Sequence, residues 1–466
     1  MQNLWILTEE RPKIKVLRTI LELFSADTGG AFIDHLRIIP ILTNNKFTFI
    51  YELIGFKSGV VEKVFIKTIS GTGSFVDYLI YHQFNEPQPN EEPLYAIEET
   101  KTDDAESRNT GVFQRATKFV LVKTIYPTSR LIMLYNIQVE QKKIPTKTNV
   151  FGTRCFETLG VEILGKKTHD KSDLTPFSSV EELINSKNSM RPPPAGNVPI
   201  KLKRDGDTIY ISGRLIKANR LSHDPNIGAL SLISATLRKL GWNKNIVLTR
   251  HGLIQSHLTP TNKMILMCRQ QNVSIEGLSL PSLGSRKIPE YWKYENKGEK
   301  LGTIFLHLVV ESFTNGFSIF ENHAGCEKGY FFGSDKKPYA IQKYINKEKY
   351  KAGDHSQIVH IPDLILVDSD REKVINIEGK KLSNIEQGIM ELDNFDAIES
   401  LYIKPHYPKH NIIRTVVLYG GKGEFIKEVA VGFLLNENGQ MIIGPEAPCL
   451  FKEAIDNLTS AFGKNM

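Results

Sequence analysis

The stretch from Ile361 to Lys381, IPDLILVDSDREKVINIEGKK, limits what this chain can fold into more than any other. PDLILVD and KVINIEGKK are apolar, strand-forming runs, and the SDRE between them is small and charged, so the segment reads as a β-hairpin. Successive strand side chains alternate faces, which puts Glu378 and Lys380 on the same side. In an antiparallel hairpin the start of one strand lies beside the end of the next, so Asp363 is brought close to Glu378 and Lys380. Two carboxylates and a lysine at one end of a sheet suit a divalent metal and a water that attacks a phosphodiester.

A second arrangement of the same kind lies upstream. FVDYLIYHQF contains Asp77, and after a polar loop PLYAIEETKT ends in Glu99, Thr100 and Lys101. Asp77 and Glu99 have 21 residues between them, Asp363 and Glu378 have 14, and a looped hairpin spans either separation. Glu-x-Lys starts at Glu99, Glu140, Glu295 and Glu378, so the tripeptide alone means little. Only Glu99 and Glu378 end an apolar strand, follow an Asp-bearing strand at hairpin distance and precede a helix. After Lys101, Ser107 or Asn109 is placed to cap a helix through GVFQRATKF, which turns Gln114 back toward the sheet.

With Pro362-Asp363 and Glu378-Gly379-Lys380, the chain resembles the PD-(D/E)xK nuclease superfamily, which includes most type II restriction endonucleases. The resemblance implies that Asp363 and Glu378 hold Mg²⁺ and that Lys380 orients or deprotonates the hydrolytic water. Carried to the upstream copy, it gives Asp77 and Glu99 as metal ligands, Lys101 as the lysine and Gln114 as the glutamine that recurs on the helix after the ExK strand. No proline precedes Asp77, a departure that the superfamily tolerates. In many such nucleases a helix before the Asp strand lends an acid, and Glu311, at the end of the helical EKLGTIFLHLVVESF, is placed to do so.

The implied fold is α/β, a restriction-endonuclease-like mixed β-sheet core flanked by helices, in two nuclease-like domains. The 466 residues suffice for two or three domains. Three consecutive prolines at 192–194 in a polar stretch mark a linker. The expected division is 1–190 and 291–466 for the nuclease-like domains, with a basic DNA-recognition region at 191–290. In that region Lys201, Lys203, Arg204, Arg214, Lys217, Arg220, Arg238 and Arg250 are candidates for contacting DNA. After Lys381 a long helix is expected through LSNIEQGIMELDNFDAIESLYI, with Ser383 and Glu386 as a capping box.

The net charge of +7 is compatible with a polyanionic partner. Cys155, Cys268, Cys326 and Cys449 show no CxxC spacing, so disulfides are not expected and a reducing cytoplasm is, which the resemblance implies is bacterial. His323 and Cys326 form an HxxC pair without a second ligand pair, so no zinc is expected there. No apolar run approaches the ~18 residues of a membrane span, and the N-terminus lacks the basic start of a signal peptide. GTGS at 71–74 lacks the Walker lysine, and no GxSxG elbow occurs. The expected activity is Mg²⁺-dependent, sequence-specific cleavage of double-stranded DNA to 5′-phosphate ends, by a monomer or homodimer working beside a cognate methyltransferase. The alternatives are a repair or phage-defence nuclease, or a DNA-binding protein with only one live site.

Overall fold

The structure is a computed structural model, and it describes residues 1–71, 75–102, 111–139, 146–165, 174–190, 200–217, 220–221, 226–260, 262–282, 290–323, 329–423 and 426–462. The side chains of Lys101, Gln114, Lys217 and Arg220 lie outside the described set, as do residues 192–194 and Cys326. The architecture is mixed α/β, with several mixed sheets and flanking helices.

The chain forms two compact units. One comprises Met1–Ser70, Gln83–Glu86 and Tyr294–Met466, the other Gly71–His82 and Pro87–Lys293. This departs from the expected division: the first 70 residues belong with the C-terminal part, and the region 191–290 shares a unit with the upstream carboxylates. The cause of the second difference is the helix Asn226–Lys239. All of its residues from Ile227 to Leu237 are buried, and it packs against the helices Gly111–Ile125 and Lys147–Thr158. A helix buried on every side is a core element, not the solvated face of a separate module.

In the first unit a six-stranded sheet runs Phe317–Glu321, Leu364–Asp368, Lys373–Lys381, Asn411–Tyr419, Val431–Leu435, Met441–Ile443. The central hairpin pairs Leu364 with Ile377 and Asp368 with Lys373. Its turn is held by Asp368, which accepts from the Arg371 backbone N–H at 3.3 Å and pairs with the Arg371 guanidinium at 3.1 Å. The next two strands run parallel to Lys373–Lys381. Leu364–Asp368 is buried throughout, as a strand covered on both faces must be.

One covering layer is the helix Lys300–Phe313, whose Phe305 stacks on Phe433 at 5.9 Å. The other is an irregular helical run: a 3₁₀ turn at Leu382–Asn384, an α-helix at Ile385–Leu392 and a π turn at Glu399–Ile403. The expected capping box does not form, because the Ser383 hydroxyl bonds the Asn384 side chain instead, at 3.1 Å. Glu399, the first residue of the π turn, accepts from Asn376 at 2.8 Å and from Arg414 at 2.6 Å.

The second unit repeats the central order. Tyr78–Gln83 is antiparallel to Tyr95–Thr102, the helix Gly111–Ile125 follows, and Arg130–Val139 then Glu162–Leu164 add in parallel. Its other sheet runs Val273–Ile275, Asn245–Thr249, Thr208–Ser212, Lys201–Asp205.

Gly302 shows how close the first covering helix sits. A Cβ there would lie 2.7 Å from the Leu418 carbonyl oxygen of the sheet. Helix propensity alone favours Gly→Ala by about 1 kcal/mol, but a backbone clash of this kind costs about 1–3 kcal/mol. Gly302→Ala is expected to lower the midpoint of chemical denaturation, and an unchanged or raised midpoint would refute the close contact.

Candidate functional site

The hairpin register sets the geometry. Because Leu364 pairs with Ile377, Asp363 falls opposite Glu378. Asp363 sits at the bend before its strand, where its N–H donates to the Ile377 carbonyl at 3.0 Å and its Oδ2 accepts the Gly379 N–H at 2.9 Å. A Cβ on Gly379 would stand 3.0 Å from that same oxygen and 2.7 Å from the Thr303 methyl, so the glycine is what lets the carboxylate lie against the neighbouring strand.

Lys380 points to the same face as Glu378 and binds it at 2.7 Å. Its other partner is Glu391, at 2.8 Å, from the helix Ile385–Leu392. Gly388 of that helix lies against the lysine stem, and Gln387 donates to Glu391 at 2.7 Å. Sequence reasoning missed Glu391 and Gln387. Their signal was available: two polar residues four apart occupy one helix face, just after the strand that ends in the lysine.

These groups perturb one another. Burial, with Asp363 beside it, pushes the Glu378 carboxyl up to about 8. Burial also pushes Asp363 up to about 6, against the Gly379 N–H and Lys380 and with Glu299 adding to the rise. Burial works against the Lys380 charge, but Glu378 and Glu391 outweigh it and hold the ammonium above its ordinary value. The site is therefore a desolvated acid pair with an always-charged lysine at its side. Two buried hard oxygen donors repelling one another are a donor set that fits Mg²⁺.

Glu311 does not belong here. It lies twelve residues along the helix from Glu299, about 18 Å by helical rise, and binds His307 at 3.0 Å, Arg11 at 2.7 Å and Ser318 at 3.0 Å. The acid that the helix Lys300–Phe313 brings near Asp363 is Glu299, at its N-terminal boundary.

In the second unit Tyr78 pairs with Ile97, so the same register puts Asp77 opposite Glu98. Asp77 Oδ2 accepts the Glu99 N–H at 2.7 Å, as Asp363 accepts that of Gly379. The counterpart of Glu378 by register is thus Glu98, one residue before the expected Glu99. Glu99 instead accepts from Asn136 at 2.9 Å. A lysine does reach the pair, from the following helix: Lys118 lies 2.8 Å from Glu98 and 3.3 Å from Asp77. Burial, and after it Asp77, raises the Glu98 carboxyl to about 8. Burial opposes the Lys118 charge, yet Asp77 and Glu98 raise its pKa. Neither Glu98 nor Lys118 stands in a Glu-x-Lys tripeptide, which is why the motif did not find them.

The basic candidates divide. Lys201, Lys203, Arg214 and Arg250 are exposed. Arg204 pairs with Glu181 and lies over Trp242 at 4.9 Å. Arg238 is a structural residue: its guanidinium donates to the carbonyls of Gln271, Asn272, Trp242 and Lys244 at 2.8, 2.8, 2.7 and 2.6 Å. It therefore has no free face for a phosphate. Cys155, Cys268 and Cys449 are unpaired, and among the described residues no helix is long and apolar enough to cross a membrane.

Comparison with protein-family models, with curated proteins and with solved structures finds no match to this chain.

Two outcomes are expected. Arg238→Ala strands four carbonyls and is expected to cost about 2–4 kcal/mol of stability, read by chemical denaturation; a loss as small as that of Lys201→Ala would contradict the assignment. The second concerns pH. Glu378 and Asp363 have folded pKa values above the ordinary carboxylate range, so between about 4 and 8 the folded protein holds protons that the unfolded chain has released. Metal-free stability then falls as pH rises through that window. Glu378→Gln should match wild type near pH 5 and melt above it by pH 8.5, and Mg²⁺ should close the gap by stabilising wild type alone. Parallel melting curves across the range would count against the buried acid pair.

Proposed function

We propose that this protein is a Mg²⁺-dependent endonuclease of double-stranded DNA, acting in the manner of a type II restriction enzyme on a restriction-endonuclease-like core. The observation that carries the reading is the opposed pair Asp363 and Glu378, with Lys380 on the same face, at one end of a β-β-α-β unit. The resemblance of these residues to the PD-(D/E)xK pattern supports it, as does the reappearance of opposed acids and a lysine in the second unit. The absence of a Walker lysine in the sequence fits an enzyme that does not translocate with ATP.

In this reading Asp363 and Glu378 hold the cation. When bound, Mg²⁺ neutralises charge on the scissile phosphate and lowers the pKa of a coordinated water. Lys380 stays charged between Glu378 and Glu391, so its part is electrostatic: it orients the attacking oxygen and offsets charge on the phosphoryl group rather than removing a proton. Glu391 and Gln387 position the ammonium. The exposed Lys201, Lys203, Arg214 and Arg250 are candidates for phosphate contacts. A cognate methyltransferase and a bacterial cytoplasm complete the proposal.

One observation favours a second reading, with a single live centre. Lys118 already bridges Asp77 and Glu98, so its ammonium occupies the cation's place in the second unit. In the first unit Lys380 binds only the glutamates, and Asp363 is left with the Gly379 N–H and the more distant influence of Lys380.

Cleavage of supercoiled plasmid in Mg²⁺ separates these outcomes. Wild type should linearise the plasmid, and Lys380→Ala should lose at least about 100-fold in cutting one or both strands. If Lys118→Ala and Lys101→Ala still linearise, one centre does all the work; if either only nicks, the second unit owns a strand. Wild type that leaves plasmid intact with Mg²⁺ and with Mn²⁺ would sink the nuclease reading.

A further inference from the structure

The first unit holds a second cluster of ligating side chains that the nuclease reading does not use. His307 lies on the helix Lys300–Phe313, Glu321 ends the strand Phe317–Glu321, and His323 follows two residues later. His307 Nδ1 is 3.0 Å from His323 Nε2 and 3.6 Å from Glu321 Oε2, and the three donor atoms all fall within 4.8 Å of one another. His307 is fully buried.

The outer partners of the two imidazoles decide what the inner nitrogens present. His307 Nε2 faces Glu311 Oε1 at 3.0 Å. Glu311 is also paired with the Arg11 guanidinium at 2.7 Å, so it faces His307 as an acceptor. His307 Nε2 therefore carries the hydrogen, and Nδ1 is left with a lone pair. On the other ring, His323 Nδ1 lies 3.1 Å from the Thr303 hydroxyl, which also lies 3.1 Å from the Lys300 carbonyl. When the hydroxyl donates to that carbonyl, it accepts from His323 Nδ1–H and turns Nε2 inward as the ligating nitrogen. The inner nitrogens of the two rings lie 3.0 Å apart beside the Glu321 carboxylate, a compact two-nitrogen, one-oxygen donor set. Histidines whose outer N–H groups are fixed by a carboxylate and a hydroxyl are the usual second layer of a metal site.

We infer that His307 Nδ1, His323 Nε2 and the Glu321 carboxylate form a site for one divalent transition-metal ion, separate from the Asp363–Glu378 pair. Two nitrogens each ~2.1 Å from an ion stand about 3.0 Å apart at a right angle and about 3.4 Å apart in a tetrahedron, so the observed spacing needs little or no opening. Imidazole donors select Zn²⁺, Co²⁺ or Ni²⁺ over Mg²⁺. Arg11 at 2.6 Å and Lys13 at 2.8 Å share the Glu321 carboxylate, which lowers its pull on an ion, so affinity is expected below that of a closed structural zinc site. The ion would tie the helix to the segment whose Asn322 N–H binds the Asp363 carbonyl at 2.7 Å. The helical member of this set lies sixteen residues before His323, so local ligand spacing does not reveal it.

The test is a Co²⁺ titration of the chelator-stripped full chain, with Mg²⁺ in excess to fill any oxygen-only site, followed by visible absorption and by equilibrium dialysis. One Co²⁺ per chain is expected, with nitrogen-ligand absorption bands, displaced by Zn²⁺. Glu321→Gln and His323→Ala should each weaken binding at least ten-fold, while Asp363→Asn, which removes the other site, should leave it unchanged. The competing arrangement turns the Thr303 hydroxyl toward His323 and needs no cation. It predicts no Co²⁺ uptake by wild type beyond that of His323→Ala, and that result would overturn the site. Loss of binding in Asp363→Asn would overturn it equally. Neither outcome depends on whether the protein cleaves DNA.

Discussion

Opposed carboxylates on adjacent buried strands are the constraint to which the rest of each unit answers. Side chains directly across an antiparallel pair are about 5 Å apart at Cβ, where two negative charges at an effective dielectric of about 20 repel by about 3–4 kcal/mol. Three cations can relieve this: a proton, an ammonium or a metal ion. Burial first, and after it the facing aspartate, raise the pKa values of Glu378 and Glu98, which is the proton's share of the answer. The lysines are the second, and the geometry of their placement distinguishes the two units. Lys380 reaches its pair from the strand and is drawn sideways by Glu391, whereas Lys118 reaches its pair from the helix and sits on both acids.

The backbone does as much as the side chains to hold each pair together. In both units the aspartate stands at the bend before its strand and accepts the N–H of the residue after the opposed glutamate. That bond fixes the carboxylate before any ligand arrives. In the first unit the residue that donates is Gly379, and the absence of a Cβ there admits the Thr303 side chain on one side and the aspartate on the other.

The hairpin at Ile361–Lys381 was legible because its apolar runs and its turn are local signals, and the structure places its strands at Leu364–Asp368 and Lys373–Lys381. The upstream copy was legible as a hairpin but not in its parity. Ile-Glu-Glu-Thr-Lys offers two adjacent acids, and a slip of one residue moves a side chain to the opposite face of the sheet. The Glu-x-Lys spacing favoured Glu99, while the register set by Tyr78 and Ile97 selects Glu98. The grouping of Met1–Ser70 with Tyr294–Met466 was not legible, since no local pattern reports a pairing between segments more than two hundred residues apart. Basic residues posed a similar problem. Arg238 and Lys201 look alike in a charge count, and only the carbonyls that converge on Arg238 show that its charge is spent inside the fold.

The two units keep the same β-β-α-β order and the same aspartate-to-backbone bond without a repeat visible in their sequences. What differs is where the compensating cation is tethered, and this has an energetic consequence for metal binding. A metal entering between Asp77 and Glu98 must displace Lys118, and a lysine stripped of both partners in a buried place costs about 3–5 kcal/mol. A metal entering beside Asp363 leaves Lys380 its contact with Glu391, so no cation is stranded. The acid on the helix is therefore as much a part of the first site as the acids on the strands: Glu391 keeps the lysine charged and close while leaving the Asp363–Glu378 gap available. On the same reasoning, an ammonium that reaches both acids from a helix closes the gap as an internal ion pair, whereas one held beside a single acid leaves the other uncovered.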